Sequence, residues 1–264
     1  MDREAAIASA VFFPRPDMPF GASAPGAWDH LFEVEETIRL RLRVFPAEVT
    51  APDILFFHGN GETARDYDPA AEPYRALPAS VWAGEYRGYG PSTGAPSVET
   101  FLRDAHKTLD EVLTLREAQE RRGPLVVMGR SLGSAPAIDL AARRADDLDG
   151  VIIESGFARI VPLLEICGVP AQQYGVTEQW GPRNLEKMRS VSLPLLILHA
   201  EDDQIIPIAD ADLLNEAAQD PDRAFVRIPR AGHNDIQLQA GAAYFEHIGR
   251  LLTRVRALHA EKRG

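Results

Sequence analysis

Ser131 stands in Gly129-Arg130-Ser131-Leu132-Gly133, a G-x-S-x-G whose flanks give it a physical meaning. The apolar run Pro124-Leu125-Val126-Val127-Met128 precedes it, as a buried parallel strand requires. Ser134 to Arg144 follows, rich in helix formers and basic at its end. Strand, sharp turn and helix together would hold a serine hydroxyl exposed above a sheet. A serine hydroxyl is a weak nucleophile, so it needs a base, a group that orients the base, and donors for the oxyanion. The base expected is His233, in Pro229-Arg230-Ala231-Gly232-His233-Asn234-Asp235, a loop between a strand and the last helix. The same loop also reads as a helix cap at Asn234 or Asp235. The orienting acid lies in Glu201-Asp202-Asp203, where spacing alone leaves three choices open. One oxyanion donor is the Leu132 amide, at a helix start where negative charge is favoured. The second comes from His58-Gly59-Asn60-Gly61, directly after a strand. Arg130 and Leu132 would then flank a reacting carbonyl.

The other histidines have weaker claims. His106 and His247 fall within helical stretches, His259 lies near the tail, and His199 closes a buried strand. None has metal-ligand spacing, so the chemistry implied uses neither a metal nor a cofactor.

These residues need elements to carry them. Residues 31–45 alternate charged and apolar side chains, which predicts antiparallel strands with one wet face. Short apolar strands are then expected at 53–57, 81–86, 124–128, 150–154, 194–199 and 223–228. Helices are expected at 64–77, 97–122, 132–145, 208–219 and 239–259. Strands alternating with helices predict an α/β fold, with a mostly parallel central sheet covered by helices on both faces. The antiparallel start would add an edge to that sheet. Residues 155–192 form the one long interruption, a cap-like insertion with a short amphipathic helix at Ile160 to Cys167. Such an insertion belongs over the carboxyl ends of the strands, where ligands bind. A single domain over 1–264 is the simplest division.

The formal net charge of -11 argues against a nucleic-acid surface and against anionic membranes. The lone cysteine, Cys167, has no partner for an internal disulfide. The N-terminal residues 1–13 mix charges and meet Pro14 and Pro16 at once, unlike a signal peptide. No apolar stretch has the length of a membrane span. A cytoplasmic protein is the expectation, and three lysines against many arginines fit a GC-rich bacterial genome.

The acidic turn also carries a resemblance. His199-Ala200-Glu201-Asp202-Asp203-Gln204-Ile205-Ile206-Pro207 resembles the H-G-x-x-D-x-x-V-P pattern of the α/β-hydrolase superfamily, with Ala for Gly and Ile for Val. The resemblance places the acid at Asp203, with Asp202 in reserve. His58-Gly59-Asn60-Gly61 resembles the family's oxyanion loop, which implies the Asn60 amide as second donor and His58 as a brace. Glu85-Tyr86-Arg87-Gly88-Tyr89-Gly90-Pro91-Ser92 is similar to the D-x-R-G-x-G-x-S turn, with Glu85 for Asp, and implies buttressing. The match spans about 30–255 and is most similar to small-cap esterases, thioesterases and prolyl-oligopeptidase-like proteins.

It implies a serine hydrolase of small-molecule carboxylic esters or thioesters, with Ser131, Asp203 and His233 catalytic. The alternatives are a peptidase or amidase of the same fold and a non-catalytic binding protein. Ser131 in place of Asp argues against dehalogenase or epoxide hydrolase chemistry. Specificity would reside in 155–192 and about 67–78. There Leu163, Leu164, Ile166 and Trp180 read either as an acyl pocket or as packing between insertion and core.

Overall fold

A computed structural model describes residues 3–18 and 23–263. Met1 and Asp2 of the segment read for a leader lie outside the described residues. Eight strands form one sheet in the order β1-β2-β4-β3-β5-β6-β7-β8. They are β1 (Trp28–Glu35), β2 (Ile38–Phe45), β3 (Asp53–Phe57), β4 (Ser80–Gly84), β5 (Leu125–Arg130), β6 (Gly150–Glu154), β7 (Leu195–Ala200) and β8 (Ala224–Ile228). β1 pairs antiparallel with β2, and β2 with β4; every pairing from β4 to β8 is parallel. The mostly parallel sheet with an antiparallel N-terminal edge is therefore as expected.

The helices are α1 (Arg3–Val11), α2 (Ala71–Ala76), α3 (Val98–Ala118), α4 (Ser134–Arg143), α5 (Ile160–Ile166), α6 (Asn184–Met188), α7 (Ile208–Ala217), α8 (Ile236–Ala240) and α9 (Ala242–Arg263). The central strands are buried on both faces, and their alternation divides the core in two. Leu55, Phe57, Val127, Val151 and Ile197 join Phe101, Leu109 and Ile138 of α3 and α4 on one side. Ile54, Phe56, Val126, Ile152 and Leu196 join Tyr74, Ile248 and Val255 of α2 and α9 on the other. Complete burial of one such aliphatic side chain is worth about 1.5–3 kcal/mol. Among the described residues no helix is long and apolar enough to cross a membrane.

Several boundaries differ from expectation, each for a local reason. The stretch expected as a helix over 64–77 is a 3-10 turn at Ala64–Ala70 holding Pro69, then α2. The strand expected to reach residue 86 ends at Gly84, because the Tyr86 carbonyl is taken by the Tyr89 amide in a turn. The last helix is broken at Gly241, which adopts φ +55°. Helix α1 has no counterpart among the helices expected from the sequence. Its Ile7 and Val11 are buried in the core, while the rest of it is alanine-rich and polar.

Candidate active site

β5 ends in the turn that presents Ser131. A 3-10 turn over Ser131–Gly133 leads into α4, and Ser131 itself adopts φ +52°. A Cβ on Gly129 would lie 2.1 Å from the Gly133 carbonyl oxygen, and one on Gly133 would lie 2.1 Å from the Phe57 carbonyl oxygen. Glycine is required at both positions by backbone meeting backbone. The Ser134 hydroxyl donates to the Ser131 carbonyl at 2.6 Å, closing the turn from within.

The structure brings Ser131, His233 and Asp203 together across 102 and 30 residues of sequence. His233 Nε2 lies 2.8 Å from Ser131 Oγ, and His233 Nδ1 lies 2.7 Å from Asp203 Oδ2. An ionised carboxylate only accepts, so Nδ1 carries the hydrogen and Nε2 is left to accept from the serine hydroxyl. All three are nearly buried, at 8%, 7% and 7% exposure for Ser131, His233 and Asp203.

Asp203 stands in the turn after β7, with its Oδ1 accepting from the amides of Ile205 at 2.9 Å and Ile206 at 2.8 Å. Burial would raise its carboxyl, but the His233 hydrogen bond and charge and these two amides hold it below the ordinary aspartate value. Glu201 and Asp202 of the same turn are exposed. The choice among three acids thus falls to the one whose side chain turns inward. Beneath it, His199 Nε2 donates to the Ile206 carbonyl at 2.8 Å, and burial keeps this imidazole below the usual histidine range.

Asn60 follows β3, and its side chain is occupied away from the serine. Its Oδ1 accepts from the Phe13 amide at 2.9 Å and the Tyr89 hydroxyl at 2.7 Å, and its Nδ2 donates to the Val11 carbonyl at 2.6 Å. The end of α1 is thereby pinned to the loop. His58 is fully buried, with Nδ1 donating to Gly59 O at 2.8 Å and Nε2 3.2 Å from Glu85. Burial opposes its charge, yet Glu85 and the Gly59 carbonyl raise it above the ordinary histidine value. Glu85 also receives Arg41 at 2.5 Å and the Ala64 amide at 2.7 Å. His58, Glu85 and Arg87, which pairs with Asp104 at 2.6 Å, therefore brace the loops as the turn motif implied.

Two expectations gain detail. Arg130 adjoins Ser131, and its side chain is taken up by partners within the protein. Its guanidinium is committed to Glu62, to Glu154 at 3.1 Å, to the His233 carbonyl at 3.1 Å and to Asn234 at 3.2 Å. Each of these partners is at least 24 residues away in sequence, so no local spacing announces them. Of the two readings of the four apolar insertion residues, packing against the core holds for Leu164, and the four do not line one pocket. Leu164 is fully buried in the core. Leu163 and Ile166 line a crevice with Ile205, Ile206 and Pro207. Trp180 lines a separate cavity of about 290 Å³ with Glu4, Val98, Glu99, Leu102 and Gly181. Within the insertion, α6 packs against α4 and α7, and its Asn184 donates to the Phe157 carbonyl just beyond β6 at 2.8 Å.

Residues 50–179 match the family described as serine aminopeptidase, S33. Protein bem46 of Schizosaccharomyces pombe is 32% identical over 205 residues, which are 76% of this chain and 67% of that protein. Lysophosphatidylserine lipase ABHD12 of Rattus norvegicus is 32% identical over 66% of this chain, a match that spans 47% of its own length. The solved structure of Pyrococcus furiosus esterase Pf2001 superposes with a TM-score of 0.72 at 17% identity, covering 90% of this chain and 98% of that one. Sheet order, turn geometry and these likenesses agree, and the chain belongs to the α/β-hydrolase superfamily.

Proposed function

We propose that this protein is a serine hydrolase that cleaves carboxylic esters or thioesters of small acyl substrates through an acyl-enzyme. The observation that carries the proposal is the unbroken relay from Asp203 Oδ2 to His233 at 2.7 Å and on to Ser131 Oγ at 2.8 Å. Ser131 Oγ attacks the acyl carbon as its proton passes to His233 Nε2. Asp203 holds the Nδ1 hydrogen and stabilises the imidazolium. The Leu132 and Asn60 amides receive the developing oxyanion. The imidazolium then protonates the leaving alkoxide or thiolate, and the acyl group stays on Ser131. Water attacks that ester while His233 takes its proton. Collapse releases the acid and returns the proton to Ser131.

A relative named as a lipase supports an ester as substrate. The family description as a serine aminopeptidase supports a second reading, a peptidase or amidase acting through the same three residues. Hydrolysis of short p-nitrophenyl esters tests the first, with the matched anilides as the comparison. Ester turnover that disappears in Ser131→Ala, by a factor of about 10⁴ or more, is the expected result. Turnover surviving that substitution overturns the assignment, and faster anilide than ester cleavage transfers it to the second reading. Labelling of wild type, but not Ser131→Ala, by a fluorophosphonate identifies the nucleophile independently of substrate.

A further inference from the structure

We infer that Arg130 is a positioning residue, whose guanidinium ties the loop of the base to the loop of the oxyanion donor. This rests on the proposed roles of Ser131, His233 and Asn60.

Arg130 is the last residue of β5, in register with Glu154 at the end of β6, so its backbone is fixed within the parallel core. Its side chain is 11% exposed, and its planar fork is spent in three directions. Nη2 donates to the backbone carbonyl of His233 at 3.1 Å and to Asn234 Oδ1 at 3.2 Å. Nη1 donates to Glu62, and Nε to Glu154 Oε1 at 3.1 Å. The carboxylates extend the connection. The other oxygen of Glu62 accepts from the Gly59 amide at 2.8 Å and from the Tyr67 hydroxyl. Glu154 Oε2 accepts from the Tyr244 hydroxyl of α9 at 2.5 Å.

Charge alone does not explain this arrangement. The buried carboxylate of Glu154 and the partly exposed one of Glu62 already more than balance the cation, and a purely structural ion pair would stop there. The remaining donors go to the carbonyl of the base itself and to its neighbour. Beside them lies a cavity of about 70 Å³ lined by Tyr67, Tyr74, Arg130, Glu154, Asn234 and Tyr244. That is room enough for the 233–234 backbone to shift if the fork is lost. A displacement of about 1 Å at a catalytic group can cost around a hundredfold in rate. Lysine keeps the charge but has no planar fork, so it cannot serve four acceptors in these directions.

Kinetics of Arg130→Lys, Arg130→Met, Glu62→Gln and the Arg130→Lys/Glu62→Gln pair on a soluble p-nitrophenyl ester test the inference, with thermal melts alongside. Arg130→Met is expected to lower both melting temperature and kcat. Arg130→Lys is expected to recover the melting temperature while kcat stays about ten- to a hundredfold low and KM moves less than about twofold. Adding Glu62→Gln to Arg130→Lys is expected to change kcat by less than about twofold, because the connection is already broken. The inference is overturned if Arg130→Lys restores kcat along with stability, if KM alone changes, or if the two substitutions lose rate multiplicatively. Should Arg130→Met not fold, the lysine and glutamine variants still decide the matter. Wild-type protein that neither labels with fluorophosphonate nor hydrolyses the ester rejects the functional proposal instead, so the two failures are distinct.

Discussion

The turn at Ser131 and the insertion over 155–192 both follow a central parallel strand, yet they are built in opposite ways. At the turn, backbone abuts backbone, and a single added methyl on Gly133 would sit 2.1 Å from the Phe57 carbonyl oxygen. In the insertion, Gly156 next to β6 is crowded too, but a methyl on Gly168 or Gly175 would meet nothing within 4 Å and would be opposed only by their positive φ. The turn delivers its chain into α4, ten residues long with eight of them buried. The insertion has two helices of seven and five residues, and Ile166 of α5 is 49% exposed. Besides its buried apolar residues, carboxylates hold its amides: Glu178 receives Ile160 at 2.8 Å, Glu165 receives Ala171 at 2.9 Å and Asp210 receives Ala158 at 2.9 Å. One region has no freedom to change without failure. The other has open space beside Gly168 and Gly175 and exposed apolar surface at Ile166.

That contrast is open to test, beginning at the rigid side. Asp203→Asn, which leaves His233 without a carboxylate to fix its tautomer, is expected to lower kcat about 10³–10⁴-fold with little change in KM. The same variant tests the electrostatics of the site. Because the folded Asp203 carboxyl lies below its ordinary value, the stability it contributes is present above the unfolded pKa, near pH 4. It is lost only as pH falls through the lower folded value. Urea titrations of wild type and Asp203→Asn should thus differ by a constant amount above about pH 5 and converge in stronger acid. Divergence as pH falls would reverse the sign of the argument.

Next in size is Gly133→Ala, which forces Cβ into the Phe57 carbonyl and should destabilise the fold by about 3 kcal/mol or more. A melting temperature close to wild type would show that the turn can relax, and the comparison would weaken accordingly. The smallest effect is expected in the insertion. Glu178→Ala removes the acceptor of two amides at the start of α5 and should cost about 1 kcal/mol or less while leaving kcat unchanged. A large loss of kcat there would make the insertion part of the rigid machinery after all.

The elements that carry chemistry were legible because each sits where a strong local pattern changes. Strands end just before His58 and Ser131, at Ala200 before the acidic turn and at Ile228 before the loop of His233, and the parallel α/β fold follows from their alternation with helices. Helix α1 was not legible, since only Ile7 and Val11 mark its inner face and its anchor is the Asn60 side chain 49 residues away. Choosing Asp203 from its acidic neighbours needed the family resemblance. The physical cause is the inward turn that lets Ile205 and Ile206 hold it, and spacing does not show that. The connections of Arg130 were invisible for a similar reason. They join positions 24, 68, 103 and 104 residues apart, and only the closed sheet makes them neighbours.

The left-handed backbone at Ser131 carries a thermodynamic consequence. An L residue other than glycine held at such a φ costs on the order of 1–2 kcal/mol, a debt the surrounding contacts must cover. Glycine at 131 would remove that debt together with the hydroxyl. A sequence optimised for endurance alone would therefore drift away from serine at the position proposed as the nucleophile.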